Sequence, residues 1–166
     1  RRKHMFVTNC VEVQLGCGAC ARRDPADQLQ IDVKIECDES AIGNQSFSYR
    51  HSDGSLAAEL ATARTFCQLR DVELMQNAGL ALGGSLNNAI VVDNGKILNE
   101  GGLRIEREFV RHKVLDCLGD LFLIGVPVKA KMTASRPGHA LSTKLVQTLL
   151  NDPATYKVIE AGSEHS

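Results

Sequence analysis

The chain is organised around EFVRHKVLDCLGD, residues 108–120. If residues 104–124 are helical, His112, Asp116 and Asp120 lie four residues apart and project from one narrow face, about 40° apart per step. The sequence therefore predicts a helix with one stripe suited to a core and another stripe that presents one histidine and two aspartates. The apolar stripe on the opposite side consists of Val110, Val114, Cys117, Leu118, Leu121 and Phe122.

The polar stripe has the residue types of a metal site. A histidine and an aspartate one turn apart can bind one divalent cation, because neutral imidazole and carboxylate both suit zinc at about 2.0 to 2.2 Å. Two ligands do not complete a catalytic zinc site, which usually has three protein ligands and a water. Asp120 is better placed to orient an imidazole than to bind metal directly. From spacing alone, the more ordinary alternative is an exposed helix in which His112 and Asp116 form an i,i+4 hydrogen bond.

Length, charge and composition limit the classes of protein to which the chain can belong. With 166 residues, the chain has the size of one domain and can bury a sizeable core. Its net charge of -1, from 19 basic and 20 acidic residues, gives no electrostatic argument for nucleic acid or an anionic membrane surface. Tryptophan is absent, so base-stacking platforms are not expected. No apolar run approaches the roughly 18 residues of a membrane span.

The six cysteines indicate a reducing compartment. They are scattered among apolar and helical positions, which suits reduced thiols and predicts a cytoplasmic protein. Cys17 and Cys20 have the two-residue spacing of a zinc knuckle or redox pair, but a structural zinc site would need a second pair, and none follows. A Gly-loosened turn that carries two thiols is the simpler interpretation.

The hydrophobic pattern predicts a single α+β domain at residues 1–160, followed by a flexible tail at 161–166. We expect a two-layer sandwich, with a mainly antiparallel sheet and helices packed on one face. The polar segment 22–27 is interpreted as a connection between strands. The predicted elements are strands at 5–14, 29–36 and 45–50, a helix at 55–63, a small β-α-β insertion at about 65–93, the central helix at 103–124, a strand at 126–134 and a final helix at 140–150.

Several segments together resemble a known family. From about Val11 to Tyr156, the chain closely resembles the UDP-3-O-acyl-N-acetylglucosamine deacetylases, the zinc amidases of lipid A biosynthesis. That family has two similar α+β domains, and this chain resembles the second. The motifs that carry the likeness are ARTF at 63–66, GLALGGSLNNAIVVD at 79–93, LNE at 98–100, EFVRHKVLDCLGD at 108–120 and GHAL at 138–141.

The resemblance implies a zinc-dependent hydrolase. It implies that His112 and Asp116 are two of three zinc ligands. It also implies that His139 is the catalytic histidine, which supports the tetrahedral intermediate as a cation and donates a proton to the leaving amine. Asp120 would then orient His139.

The same resemblance implies a binding site for the substrate UDP-3-O-acyl-N-acetylglucosamine. Lys113 resembles a substrate-contacting lysine. Thr65 and Phe66 resemble residues that hold the sugar and line the pocket. The insertion at about 65–93 matches the family's hydrophobic passage for the fatty acyl chain.

The resemblance also implies that half of the active site lies elsewhere. In the family, the first domain supplies a glutamate base and a third, histidine ligand, and this chain has no matching pair. We therefore expect the isolated chain to be inactive without a first domain. The alternatives are a non-catalytic module that binds acyl chains and UDP-sugars, and a homodimer in which two chains complete one another's zinc site.

Overall fold

The computed structural model describes residues 2–16, 19–79 and 88–160. It shows α-helices packed against β-sheets, which confirms the predicted α+β class. Most strand pairings are antiparallel, also as predicted. The predicted tail at 161–166 and Cys17 lie outside the described residues.

The elements are numbered here in chain order. The strands are β1 Lys3–Val7, β2 Val11–Gln14, β3 Cys20–Pro25, β4 Gln30–Ile35, β5 Gln45–Arg50, β6 Thr65–Gln68, β7 Ala89–Asp93, β8 Lys96–Ile97, β9 Val128–Ser135 and β10 Tyr156–Glu160. The α-helices are α1 Ser55–Glu59, α2 Leu69–Asn77, α3 Glu108–Leu121 and α4 His139–Asn151. Short 3-10 helices occur at Phe122–Ile124 and Pro153–Thr155.

Strand β9 holds the larger sheet together. Its first two residues pair in parallel with β1, and its later residues pair with antiparallel β3 and parallel β4. β2, β5 and β10 extend this sheet through β3, β4 and β1. β9 is therefore a central strand, and its alternating buried residues, Val128, Ala130, Met132 and Ala134, form part of the core.

The two longer helices cover this sheet. α3 packs against β4 and β5, α4 packs against β2 and β3, and the two helices contact each other. Both helices bury an apolar stripe, which keeps α3 fixed on the sheet while its polar stripe remains accessible. The core side chains of α4 are Leu141, Leu145, Val146 and Leu149.

The predicted β-α-β insertion is present as a separate small sheet. β6 and β7 pair in parallel, α2 connects them, and β8 adds an antiparallel hairpin. Asn94 and Gly95 form the hairpin turn, and both have positive φ values, as a two-residue hairpin turn of this kind requires. The insertion places Phe66 of β6 beside α3.

Two predicted helices are too long. α3 begins at Glu108 instead of Leu103, because Arg107 has a left-handed backbone, with φ 54°, that interrupts helical geometry. α1 ends at Glu59 instead of Ala63, since the chain turns at Leu60. The segments outside the helices have tertiary partners instead, because the backbone N–H groups of Arg64, after α1, and Arg104, before α3, both donate to the carboxylate of Glu108.

The sequence analysis also missed strands. The segment 22–27, interpreted as a connection, belongs partly to β3, where Arg22 points outward and Arg23 points into the core. Residues Tyr156–Glu160, at the end of the predicted domain, form the unpredicted strand β10, which pairs with β1 along its whole length. This pairing gives hydrogen-bond partners to backbone groups on one edge of β1. The two strands lie at opposite ends of the chain, so the pairing cannot be predicted from neighbouring residues.

Candidate functional site

α3 presents four polar side chains at intervals of one turn: Glu108, His112, Asp116 and Asp120. Glu108 is fully buried, whereas the other three side chains are 14–20% exposed. The opposite side of the helix is buried as predicted, except that Phe122 lies beyond the helix, in the 3-10 helix, and is exposed. The helix thus offers a short row of polar groups on a rigid support.

The imidazole of His112 has its two nitrogens in different surroundings. Its Nδ1 lies 3.2 Å from the carbonyl oxygen of Ala63, and its Nε2 lies 3.3 Å from Oδ1 of Asp116. A carbonyl oxygen can only accept, so Nδ1 must donate the proton of this hydrogen bond. In the neutral ring, Nε2 then has a lone pair that faces the carboxylate oxygen.

This pair fits a divalent cation. Two lone pairs that face each other need a proton or a cation between them. Two ligands at about 2.1 Å from a tetrahedral ion lie about 3.4 Å apart, close to the observed separation of Nε2 and Oδ1. The carbonyl contact at Nδ1 is also the usual support of a histidine that binds metal through its other nitrogen. Within the described ranges, no group of three or more His, Cys, Asp or Glu side chains could hold a metal ion.

Asp120 and His139 form a second pair that joins α3 to α4. Nδ1 of His139 lies 2.9 Å from both carboxylate oxygens of Asp120. The aspartate is largely covered, whereas the side chain of His139 is 70% exposed. Because Nδ1 donates to the carboxylate, Nε2 is the ring nitrogen that remains for other contacts.

The predicted substrate residues lie beside the first pair. Nζ of Lys113 is 3.6 Å from Oδ2 of Asp116 and 5.5 Å from the ring centre of Phe66. The ring of Phe66 also makes an edge contact with the ring of His112, with centroids 6.5 Å apart. Thr65 precedes Phe66 on β6 and is exposed. The structure therefore brings Phe66 and Lys113 together beside His112 and Asp116, with Phe66 as an apolar wall and Lys113 as a cation, whereas Thr65 is near them only as the residue before Phe66 on β6.

Sequence reasoning missed the ion pair beneath the site. Glu108 accepts four hydrogen bonds, three from Arg64 and one from the backbone of Arg104, although both charged side chains are almost fully buried. Burial raises the pKa of the Glu108 carboxyl, but these hydrogen bonds outweigh burial and hold the pKa below its ordinary value. The available signal was the position of Glu108, one turn before His112 on the same stripe.

Comparisons with known proteins bear on this arrangement. Residues 1–151 match the family model of the UDP-3-O-acyl N-acetylglycosamine deacetylases. This match includes every residue of the site. The chain belongs to this family.

Individual deacetylases show the same relationship. A UDP-3-O-acyl-N-acetylglucosamine deacetylase from Anaeromyxobacter sp. (strain Fw109-5) is 48% identical over 98% of this chain and 53% of its own length. A deacetylase of the same name from Myxococcus xanthus (strain DK1622) is 49% identical over 82% of this chain and 44% of its own length. The chain thus spans about half the length of the curated deacetylases that it matches.

Two further sequence predictions concern membrane spans and cysteines. No helix in the described parts of the chain is long and apolar enough to cross a membrane. Cys20, on β3, is a free thiol, whereas its predicted neighbour Cys17 lies outside the described residues. The interpretation of these two cysteines as a turn stays a prediction.

Proposed function

We propose that this chain carries the second-domain half of the active site of a zinc-dependent deacetylase. The reaction is hydrolytic removal of the acetyl group from UDP-3-O-acyl-N-acetylglucosamine in lipid A biosynthesis. The observation that carries the proposal is the approach of Nε2 of His112 to Oδ1 of Asp116 while Nδ1 is held by a backbone carbonyl. Family membership supports the choice of reaction.

His112 and Asp116 would hold the zinc ion. When bound, zinc would polarise the acetyl carbonyl and lower the pKa of a coordinated water to about 7. Asp116 also lies within 3.6 Å of Lys113, so its two oxygens can serve two cations, with Oδ1 facing His112 and Oδ2 facing Lys113. A third ligand and a general base would come from a first domain, as the family resemblance implies.

His139 would exchange the proton of the reaction. Asp120 accepts the hydrogen bond from Nδ1 and fixes the ring, so that a proton at Nε2 can be given to the leaving amine. As a cation, the same ring would also stabilise negative charge that develops on the carbonyl oxygen. The side chain of His139 is exposed, so a bound substrate can reach its ring.

Phe66, Thr65 and Lys113 would orient the substrate. The ring of Phe66 supplies an apolar surface next to the proposed zinc ligands, and Nζ of Lys113 supplies a positive charge for the sugar or the diphosphate. Thr65, the residue before Phe66 on β6, has an exposed side chain that would contribute a hydroxyl for the sugar. We propose that the protein acts in the bacterial cytoplasm, and the free thiols of the described cysteines support this compartment.

The proposal is tested by zinc binding and by turnover together. Zinc affinity of the chain is measured by competition with a chromophoric chelator, for the wild type and for His112→Ala and Asp116→Ala. His51→Ala is the matched control, because His51 contacts Tyr49 on another part of the chain. We expect zinc affinity to fall at least tenfold in the first two variants and to stay unchanged in the control. Equal zinc affinity in all four proteins would overturn the proposal.

Turnover separates the proposal from its alternatives. Deacetylation of UDP-3-O-acyl-N-acetylglucosamine is assayed with the chain alone and with the part of the Anaeromyxobacter deacetylase that this chain does not cover. We expect activity only in the mixture, and its loss in His139→Ala. Zinc and substrate binding without turnover in either assay would overturn catalysis in favour of a binding module. Activity of the chain alone would overturn the need for a first domain and would indicate a zinc site completed by a second copy.

A further inference from the structure

One peptide unit connects the buried ion pair to the proposed zinc ligand. The N–H of Arg64 donates to Oε1 of Glu108 at 2.9 Å, and the carbonyl of Ala63, at the other end of the same peptide bond, accepts from Nδ1 of His112 at 3.2 Å. Glu108 and His112 are successive members of the α3 stripe, about 6 Å apart along the helix axis. The peptide unit therefore spans one turn of the helix.

We propose that Arg64 and Glu108 are positioning residues that hold the Ala63 carbonyl against His112 and thereby keep its imidazole in the tautomer with the proton on Nδ1. In this tautomer Nε2 is free to bind a cation beside Asp116. The inference rests on the proposed function, because it assigns the pair a role at that site.

The rigidity of the peptide unit supports this role. A peptide bond is planar, so fixing its N–H also fixes the direction of its C=O. The N–H is fixed by a carboxylate that has no freedom to move, since Oε1 of Glu108 also accepts from Nε of Arg64, and Oε2 accepts from Nη2 of Arg64 and from the backbone of Arg104. The guanidinium is anchored in turn, because Nη2 donates to the carbonyl of Gly102.

The chemistry of the pair also favours a positioning role over simple stabilisation. A buried ion pair is often no more stabilising than apolar residues of similar size, because both charges lose their hydration. Glu108, however, does what an apolar residue cannot: it accepts a hydrogen bond from the backbone and so sets the orientation of one peptide unit. Outer groups that orient a metal-binding histidine typically change metal affinity by 10–100-fold.

The test uses the metal-free 166-residue chain, labelled with nitrogen-15. NMR of the imidazole nitrogens distinguishes the ring nitrogen that bears the proton from the bare one. We expect the wild type to carry the proton of His112 on Nδ1. Finding it on Nε2 overturns the proposal without any variant.

The decisive variant replaces both members of the pair, Arg64→Met with Glu108→Met. Because no charge is left unpaired, the variant is expected to fold, which its melting temperature checks. We expect His112 to populate both tautomers and zinc affinity to fall by about 10–100-fold. An unchanged tautomer together with unchanged zinc affinity overturns the proposal.

The matched control is Arg111→Met. Arg111, on α3, is likewise an arginine that donates to main-chain carbonyls, those of Glu106 and Glu59, but no hydrogen bond joins it to the Ala63 peptide. The control should leave the tautomer of His112 unchanged, and an equal effect there would overturn the specific role of the pair. If the double variant does not fold, Arg64→Lys replaces it, since lysine keeps the charge but lacks the planar fork, and the same two measurements apply.

Failure of this inference can be distinguished from failure of the proposed function. The tautomer is measured without metal, so it does not depend on whether zinc binds. A fixed tautomer in a chain whose zinc affinity is insensitive to His112→Ala would contradict the proposed function and leave the hydrogen-bonded arrangement intact. Zinc binding that depends on His112 but not on the pair would contradict the inference alone.

Discussion

Arg64 and Arg23 are both buried arginines, and their surroundings are opposite. The guanidinium of Arg64 donates to Glu108 and to the carbonyl of Gly102, and the hydrogen bonds and charge of Glu108 raise the pKa of Arg64 above its ordinary value. Arg23, on β3, is fully buried, and none of its three guanidinium nitrogens has a hydrogen-bond partner among the described residues. Burial lowers the pKa of Arg23 to about 10.

The difference teaches when a buried charge is useful. The register of β3 places Arg23 opposite Val11 and Met132, both of which are core residues, so this side chain meets apolar groups. Arg64 instead donates to the carboxylate of Glu108. This carboxylate also accepts from the backbone N–H of Arg64, in the peptide unit whose carbonyl contacts His112. A charge with partners can build a site, whereas a charge without partners only costs stability.

The largest effect is expected from Arg64→Met. This substitution leaves the buried carboxylate of Glu108 without its cation, which typically costs about 3–5 kcal/mol of unfolding free energy. Urea denaturation measures the change. Arg70→Met is the control, because Arg70 is exposed, and it should change stability by less than about 0.5 kcal/mol. Similar losses in both variants would contradict a structural role of the buried Arg64–Glu108 pair.

Arg23→Met should have the opposite sign. Removing a buried guanidinium that lacks hydrogen bonds is expected to raise the unfolding free energy by about 1–3 kcal/mol. Arg22→Met, on the outward face of the same strand, removes an exposed ion pair with Asp24 and should change stability by about 1 kcal/mol at most. A destabilised Arg23→Met variant would show that Arg23 has a stabilising role.

A smaller effect of the Arg64 pair should depend on pH. The folded-state pKa of Glu108 is below its ordinary value of 4.5, so its ionised form stabilises the fold above that pH. This contribution is lost as the pH falls through the folded-state pKa. We expect the stability of the wild type, relative to the Arg64→Met with Glu108→Met double variant, to decrease on acidification below about 4.5. A difference that stays constant in urea titrations at neutral and acidic pH would be the contrary result.

The smallest effect is expected for zinc affinity in Arg23→Met. Arg23 lies on β3 and does not contact the Ala63 peptide, so its replacement should leave zinc binding unchanged, in contrast to the double variant at Arg64 and Glu108. The chelator competition assay makes the comparison. If Arg23→Met weakens zinc binding as much as the double variant, the loss in both would reflect a general loosening of the fold.

Part of this structure could be read from local patterns. The alternation of residues 29–36 predicted β4, and the turn residues Asn94 and Gly95 predicted the β7–β8 hairpin, since both signals come from neighbouring residues. The strand β10 was missed although Tyr156, Val158 and Ile159 favour strands, because the segment is short and its pairing partner, β1, lies at the other end of the chain. The inward position of Arg23 was also missed, because the pairing register of β3 with β9, and not the local sequence, directs this side chain into the core.

The sequence by itself determined the row formed by His112, Asp116 and Asp120. That row follows from 3.6 residues per helical turn, which the helix sets through its own backbone hydrogen bonds. The sequence motifs alone also indicated the resemblance to the deacetylase family, and the family match confirms it.

Only the tertiary structure decided which partners these side chains meet. Glu108 pairs with Arg64, 44 residues away, and Asp120 pairs with His139, 19 residues away. The Ala63 carbonyl reaches His112 because α1 ends early and the chain returns to α3. Such contacts depend on how α1, α3 and α4 pack, and packing is a property of the whole core that no local spacing can specify.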